Sequence, residues 1–185
     1  MKTLPRMVAC LTLSCFAATA MAEDTNAVLQ RLFDDERAFL WRADPLTATY
    51  DGVHTYDDRL PSVAPAAQQR RVEADREFLR RLQAIQRSGL SPQEQVSYDL
   101  FDFMVTQRLA LASHREWRMP LTSDSGFHSD VLYMHEVANP GSTAEYERYI
   151  ARLRDLPRYF DENIANMRQG LRDGFTLPAE ILAGI

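Results

Sequence analysis

The sequence predicts an all-α fold, built as an irregular bundle of helices. Apolar residues recur every three or four positions through most of the chain, which is the spacing of one helix face. Helix-start signals precede several of these stretches, whereas the alternation of apolar and polar residues that is typical of strands is nearly absent. Together these patterns favour helices packed on helices over a sheet-containing architecture.

The first 22 residues have the order of a secretory signal peptide. Lys2 and Arg6 form a short positive region, residues 7–20 are apolar or small and uncharged, and residues 20–22 read Ala-Met-Ala, a small-x-small cleavage site. The uncharged run is shorter than the roughly 20 residues that a membrane span needs. We therefore expect a protein exported to the periplasm or the medium, with a mature chain that begins at Glu23.

Net charge and cysteine content argue against several kinds of partner and binding site. The whole chain has a net charge of −5, and signal cleavage would make it more negative. We therefore expect no nucleic-acid partner and no membrane partner after cleavage. Cys10 and Cys15 both lie in the predicted signal peptide, and neither follows a convincing lipoprotein triplet. After cleavage, the mature chain can therefore form no disulfide and no thiolate metal site. Lys2 is the only lysine, and we attribute the preference for arginine to genome composition.

The mature part begins with two predicted helices. The first covers about residues 26–42 and ends at Asp44-Pro45, because the residue before proline disfavours the helical conformation. We expect a loop after it. The second begins between residues 62 and 65 and continues to about residue 87, where Ser88-Gly89 ends it.

A third predicted helix opens on Ser91-Pro92-Gln93-Glu94 and continues to about residue 117. Ser91 can cap this helix, and Glu94 can complete a capping box. Its apolar residues wrap most of the helix circumference, so we expect it to be buried. These residues are Val96, Leu100, Phe101, Phe103, Met104, Val105, Leu109 and Leu111.

The fourth helical stretch covers about residues 143–173 and carries a long apolar stripe, which we expect to form core. Pro157 should kink or split it, and Gly174 should end it. The stripe consists of Tyr146, Ile150, Leu153, Leu156, Phe160, Ile164, Met167 and Leu171. A further helix begins near Thr176, and the sequence ends at Ile185. We interpret residues 23–185 as a helical N-terminal segment truncated at its C-terminus.

The motif that comes nearest to known chemistry is at residues 135–139, which read His-Glu-Val-Ala-Asn. A zinc peptidase helix needs H-E-x-x-H, because two histidines four residues apart share one face. Asn139 stands where the second histidine is needed, and Pro140 would break the helix. We therefore assign no catalytic residue and no metal ligand in this chain.

Two other sets of residues leave alternatives open. In the irregular segment 119–141, His128 and Tyr133 either line a cleft or satisfy local hydrogen bonds. Asp57-Asp58, next to Arg59, either bind a cation or form a surface ion pair or loop cap. In both cases we favour the second alternative.

Several segments form a set with a characteristic order and spacing. They are Asp44-Pro45-Leu46-Thr47-Ala48-Thr49 with Gly52; Tyr56-Asp57-Asp58-Arg59-Leu60-Pro61; Ser97-Tyr98-Asp99-Leu100-Phe101; Met119-Pro120 with Gly126-Phe127-His128; Tyr149-Ile150-Ala151-Arg152-Leu153 with Pro157; and Gly170-Leu171 through Gly174-Phe175. Together they resemble the bacterial domain-of-unknown-function 885 family across essentially the whole mature chain.

The resemblance implies the N-terminal part of a larger, helical, metallopeptidase-like fold. Members of that family are longer, often carry export signals, and resemble helical zinc peptidases. The implied hydrolase uses zinc held by an H-E-x-x-H motif in the C-terminal half, so the implied partner of this chain is a missing catalytic part and the implied substrate is a peptide. At most, Gly126, Phe127 and His128 correspond to a family segment that approaches the cleft.

We therefore interpret the chain as the N-terminal fragment of an exported, zinc-dependent peptidase-like protein that itself lacks the metal motif and is not catalytic. One alternative is a complete exported helical binding module without catalysis. Another is a processed N-terminal subunit that associates with a separate catalytic chain.

Overall fold

The computed structural model describes residues 6–122, 124–138 and 140–182, with their side chains from residue 25 to residue 181. The described residues form α-helices and short 3-10 helices but no strand, which confirms the all-α prediction. The helices are α1 (Arg6–Ala43), α2 (Pro45–Tyr50), α3 (Pro65–Gln83), α4 (Pro92–His114), α5 (Phe127–Asp130), α6 (Met134–Val137), α7 (Thr143–Arg154), α8 (Leu156–Arg172) and α9 (Ala179–Leu182). None of the helices in this part of the chain is both long and apolar enough to cross a membrane.

Two boundaries near the N-terminus differ from the sequence prediction. Helix α1 begins at Arg6 rather than near residue 26, and residues 45–50, expected in a loop, form α2. The carboxylate of Asp44 accepts hydrogen bonds from the backbone N–H groups of Leu46 and Thr47, at 3.1 and 3.2 Å. Pro45 fits the first turn, where no N–H partner is needed. The Asp-Pro pair that ends α1 therefore also starts α2.

Helices α3 and α4 are shorter than predicted. Helix α3 ends at Gln83, and the 3-10 turn Arg87–Gly89 follows it. Helix α4 ends at His114 because Arg115 adopts a left-handed conformation, with φ of 58°, which interrupts an α-helix. A second 3-10 turn, Glu116–Arg118, follows.

The helices belong to two compact units. The first unit comprises the chain up to Glu36 together with Asp75–Arg108, and the second comprises Arg37–Ala74 and the chain from Leu109 onward. In the first unit, the rings of Phe33 and Phe101 lie 5.0 Å apart between centroids. Its buried apolar residues are Leu29, Leu32, Phe78, Leu82, Ile85, Leu90, Phe101 and Val105.

Helix α4 is not buried all round, so that prediction was wrong. Within the first unit, only Phe101 and Val105 of α4 are buried, and their spacing of four residues places them on one helix face. Leu109 is half-buried, and five other large apolar side chains of α4 are exposed: Val96, Leu100, Phe103, Met104 and Leu111. Helix α4 therefore has apolar residues around most of its circumference, but it is buried on one face only.

The long stripe of the fourth stretch is divided as predicted but is not a continuous core. Helices α7 and α8 are separate, with Pro157 in the first turn of α8, and Gly174 follows α8 with a φ of 69°. Tyr146, Ile150, Leu153 and Leu171 are exposed. The buried positions are instead Arg152, Tyr159, Asn163, Asn166 and Gly170.

Backbone contacts explain why these helices bury a polar face. The side chain of Asn166 donates to the backbone oxygen of Val63 at 2.7 Å, and that of Asn163 donates to Tyr159 O at 2.9 Å. At Gly170, a Cβ atom would lie only 2.6 Å from the backbone oxygen of Phe175. The face that packs within the second unit thus meets backbone, which polar and small residues accommodate better than a row of leucines.

The core of the second unit lies beside this polar face. It consists of Leu46, Leu60, Phe127, Val131, Met134 and Tyr159. Helices α2, α5, α6 and α8 all contribute to it, so four elements are fixed around one set of apolar side chains.

Candidate functional site: an arginine-lined cavity

A cavity of about 720 Å³ lies within the second unit. The end of α1, the segment before α3, the start of α3, and the junction of α7 and α8 form its walls. The lining residues are Phe39, Arg42, Ala43, Pro45, Asp58, Arg59, Leu60, Pro61, Ser62, Ala67, Arg70, Arg71, Ala151, Arg154, Asp155, Arg158 and Glu162.

Two carboxylates of the α7–α8 region hold one wall in place. Asp155 accepts from the backbone N–H of Leu60 at 2.9 Å. Glu162 accepts from the backbone N–H groups of Val63 and Ala64, at 2.7 and 3.0 Å, and from the hydroxyl of Ser62. These N–H groups lie just before α3, so Glu162 acts as a cap supplied from another helix.

Arg158 is the cation that neutralises these two carboxylates. Its guanidinium contacts Asp155 at 2.6 Å and Glu162 at 2.9 Å, and it also donates to the backbone oxygen of Leu60 at 3.0 Å. The hydrogen bond with Asp155 is the main cause that raises the pKa of Arg158. Every charge in this group has a partner, so the group is structural.

The other arginines of the cavity are far less neutralised. Within the described residues, Arg42, Arg70 and Arg154 are exposed and make no ion pair or side-chain hydrogen bond. Arg71 donates to the backbone oxygen of Ala43 at 2.7 Å and to Gln68, but to no carboxylate. Partial burial is the main cause that lowers the pKa of Arg71, so its charge is incompletely compensated.

Arg59 completes the set and is only weakly paired. It lies 3.7 Å from the carboxylate of Asp58, and its guanidinium carbon lies 5.2 Å from the ring centroid of Tyr56. The Asp58–Arg59 contact is the surface ion pair favoured by the sequence analysis. Asp57 instead faces inward and pairs with Arg152.

The cavity wall therefore carries six arginines and three acidic residues in a chain whose net charge is −5. Guanidinium groups bind carboxylates and phosphates through paired, charge-assisted hydrogen bonds. The arrangement is suited to an anionic ligand.

The residues that sequence analysis placed near a cleft lie elsewhere. Phe127 is a core residue, and its ring lies 5.2 Å from that of Phe160. His128 is half-buried beside Phe127, and Gly126 packs so closely on Pro120 that a Cβ atom would lie 2.7 Å from the Pro120 backbone oxygen. None of the three lines the arginine cavity. Their approach to a substrate cleft stays a prediction.

The His-Glu-Val-Ala-Asn motif does not form a metal centre in the described chain. Helix α6 is a single turn, and Nδ1 of His135 lies 2.6 Å from the backbone oxygen of Leu132. Asn139, on which the zinc argument depends, lies outside the described residues. Across the described residues, no group of three or more His, Cys, Asp or Glu side chains is placed to hold a metal ion. The zinc site that the family resemblance implies in a C-terminal half stays a prediction.

Sequence reasoning missed the arginine cavity. Its arginines come from four separate parts of the chain, and the sequence analysis attributed them to genome composition. The adjacent pair Arg70-Arg71, and the pair Arg154 and Arg158 one helical turn apart, were the local signals. Only the fold brings these pairs to one cavity.

A comparison with known protein families shows the family to which this chain belongs. The family described as "Bacterial protein of unknown function (DUF885)" matches residues 45–185. The chain belongs to the DUF885 family. No curated protein and no solved structure matches it. The DUF885 match includes the cavity residues from Pro45 onward, whereas Phe39, Arg42 and Ala43 precede it.

Proposed function

We propose that this DUF885 chain is the substrate-holding part of an exported, peptidase-like protein, and that its arginine cavity holds the carboxylate of a peptide. The observation that carries the proposal is the group of arginines without carboxylate partners that faces one cavity. A ligand carboxylate would supply the missing counter-charge at Arg42, Arg70, Arg71 and Arg154.

The cavity size and the surrounding walls support a peptide end rather than a lone ion. A volume of about 720 Å³ is within the range of about 300–1,000 Å³ typical of small-molecule sites. Phe39, Leu60 and the prolines of the wall offer apolar contact beside the charges. A peptide terminus combines an anionic group with apolar side chains, and it would use both.

Catalysis is not part of the proposal for this chain. The zinc chemistry that the family resemblance implies needs an H-E-x-x-H helix, which the printed sequence does not contain. In the leading interpretation a further catalytic segment supplies it. The alternative, an exported binding module without catalysis, is favoured by the same cavity, because binding there needs no other part. The DNA that follows codon 185 separates the two: an H-E-x-x-H sequence supports the peptidase-like interpretation.

Export is proposed on the three-zone order of residues 1–22. The mature protein should begin at Glu23, which N-terminal sequencing of periplasmic or secreted material measures. A retained Met1 or an acylated cysteine would contradict it.

The binding proposal is tested by calorimetry on the exported protein with a pair of peptides. One has a free C-terminal carboxylate, and the other is amidated and otherwise identical. The free acid should bind, and the paired substitution of Arg70 and Arg154 by alanine should weaken it about tenfold or more, as loss of charged hydrogen bonds does. The matched control is Arg168→Ala, since Arg168 is exposed on α8 and lies outside the cavity.

The outcome that would overturn the proposal is equally specific. Equal binding of the acid and the amide, or an equal loss in Arg168→Ala, would show that the cavity does not recognise the carboxylate. Inorganic phosphate is a second probe, and competition by phosphate would identify the cavity as a general oxyanion site.

A further inference from the structure

A second, smaller cavity of about 270 Å³ lies in the same unit. Its charged lining residues are acidic, whereas most of those in the first cavity are arginines. Helix α2, its preceding cap, the α5–α6 segment and α8 form its walls. Its lining residues are Asp44, Leu46, Thr47, Tyr50, Pro61, Asp130, Tyr133 and Tyr159. Pro61 also lines the arginine cavity, so the two cavities adjoin.

Three tyrosines give this cavity an aromatic wall. Tyr50 and Tyr133 are each 56% exposed, and Tyr159 is 6% exposed. They come from α2, the α5–α6 segment and α8, so the fold brings together three rings that are distant in sequence. The two exposed rings, those of Tyr50 and Tyr133, are available to a ligand, whereas Tyr159 also belongs to the core of the second unit.

The charges of the cavity are acidic. Within the described part of the chain, the carboxylate of Asp130 has no ion pair and no hydrogen-bond donor, and it is exposed. Asp44 caps α2 through Oδ1 and also lacks an ion pair there. Among the described residues that line the cavity, none is an Arg, Lys or His.

Burial and the acidic surroundings raise the pKa of the Tyr159 hydroxyl. Burial is the main cause, and the negative charges of Asp130 and Asp44 raise the pKa further. The positive charge of Arg71 lowers the pKa of Tyr159, and the charge of Asp44 in turn raises the pKa of Arg71, so Arg71 partly balances Asp44. The cavity thus combines aromatic rings with the carboxylate of Asp130, which has no ion pair among the described residues, and with that of Asp44, which Arg71 partly balances.

We propose that this tyrosine–aspartate cavity binds an organic cation with an ammonium group. A cation near aromatic rings is attracted by the negative face of each ring, and carboxylates add direct charge attraction. The volume suits an ammonium head with a short alkyl stem. Such a group occurs on a peptide, at its amino terminus or on a lysine side chain, and on free amines.

The experiment measures binding of butylammonium to the exported full chain by calorimetry, with butanol as the uncharged isostere. Butylammonium should bind more tightly than butanol, and Tyr133→Leu should weaken it about fivefold or more, as expected for loss of a cation–aromatic contact. Asp130→Asn should weaken it and reduce the dependence of binding on salt. Tyr133→Phe, which keeps the ring, should retain binding.

Two control variants match the test variants in exposure and location. Tyr146→Leu removes a tyrosine that is 55% exposed on α7, and Asp161→Asn removes an exposed carboxylate on α8. Neither should change binding. Equal affinity for butanol, unchanged binding in Tyr133→Leu and Asp130→Asn, or the same loss in the controls would overturn the proposal.

The source of the ammonium group is resolved by a second comparison. A peptide with a free amino terminus, the same peptide acetylated, and free spermidine are titrated in turn. Binding of the free peptide but not the acetylated one identifies a peptide amine, whereas preference for spermidine identifies a free amine. The arginine cavity is tested separately with Arg70→Ala, which should leave butylammonium binding unchanged, so failure of one proposal does not imply failure of the other.

Discussion

The guanidinium of Arg152 lies 3.0 Å from Oδ1 of Asp57, and this contact fastens α7 to the segment that follows α2. Arg152 is fully buried. The same guanidinium donates to the backbone oxygens of Tyr56 and Arg59 and to the hydroxyl of Thr49. These acceptors satisfy Nε and Nη2 of the buried cation, whereas its Nη1 has no hydrogen-bond partner among the described residues.

Replacing Arg152 should strongly destabilise the protein. Arg152→Met would remove the cationic partner of Asp57, which would keep only its contacts with Thr49 and His54. The backbone oxygens of Tyr56 and Arg59 would also lose this donor, and breaking a buried pair in this way costs about 3–5 kcal/mol. The measurement is the free energy of unfolding in urea. Arg154→Met, on the same helix but exposed and unpaired, should change it by less than about 0.5 kcal/mol. Equal effects of the two substitutions would show that the interior pairing contributes nothing.

The two faces of α4 should respond differently to truncation. Phe101 is 8% exposed and Phe103 is 60% exposed. Phe101→Ala should lower the free energy of unfolding by about 3–5 kcal/mol, the usual range for a buried phenylalanine. Phe103→Ala should have little effect. A large loss in Phe103→Ala would mean that this face is covered in the molecule in solution.

Sequence reasoning predicted those features that depend on neighbouring residues. The start of the fourth helical stretch at residue 143, the interruption at Pro157 and the end at Gly174 all depend on local backbone chemistry, and the structure has each of them. The helical class followed from the same periodicity.

Features that depend on distant partners were missed. The capping box at Ser91 illustrates this: its hydroxyl accepts from Glu94 N–H as predicted, but the Ser91 N–H donates to Asn26 and the Glu94 carboxylate accepts from Gln30. Likewise, periodicity predicted an apolar buried face on α7, whereas the interior position belongs to Arg152 because backbone oxygens surround it. The arginine cavity could not be predicted because no local pattern specifies which arginines converge.

A close backbone approach should make Gly170 intolerant of a side chain. A Cβ atom there would lie 2.6 Å from the Phe175 backbone oxygen and 3.3 Å from Cβ of Arg118. Gly170→Ala should therefore destabilise the protein by about 1–3 kcal/mol through overpacking. Gly141→Ala is the control, because its nearest neighbour would be a flexible carboxylate oxygen at 3.6 Å. Thermal melts of both variants measure the difference, and a stable Gly170→Ala would contradict the packing argument.

Acid should weaken the wall of the arginine cavity through Asp155 and Glu162. The hydrogen bond from Arg158 is the main cause that lowers the pKa of Asp155. Burial raises the pKa of Glu162, but the hydrogen bonds from Arg158, the Val63 N–H and Ser62 outweigh it, so its net pKa is also lowered. A carboxylate whose folded pKa lies below its unfolded value stabilises the fold above the unfolded pKa and loses that contribution as pH falls through the folded pKa.

The loss should begin near the unfolded pKa values, 4.5 for Glu162 and 3.8 for Asp155, and grow as the pH falls below them. Urea midpoints measured from about pH 6 to pH 3 should therefore decline more steeply in the wild type than in Glu162→Gln. Asp161→Asn, at an exposed position on the same helix, should keep the wild-type slope. Parallel slopes for the wild type and Glu162→Gln would mean that the carboxylate of Glu162 does not link α8 to the segment before α3.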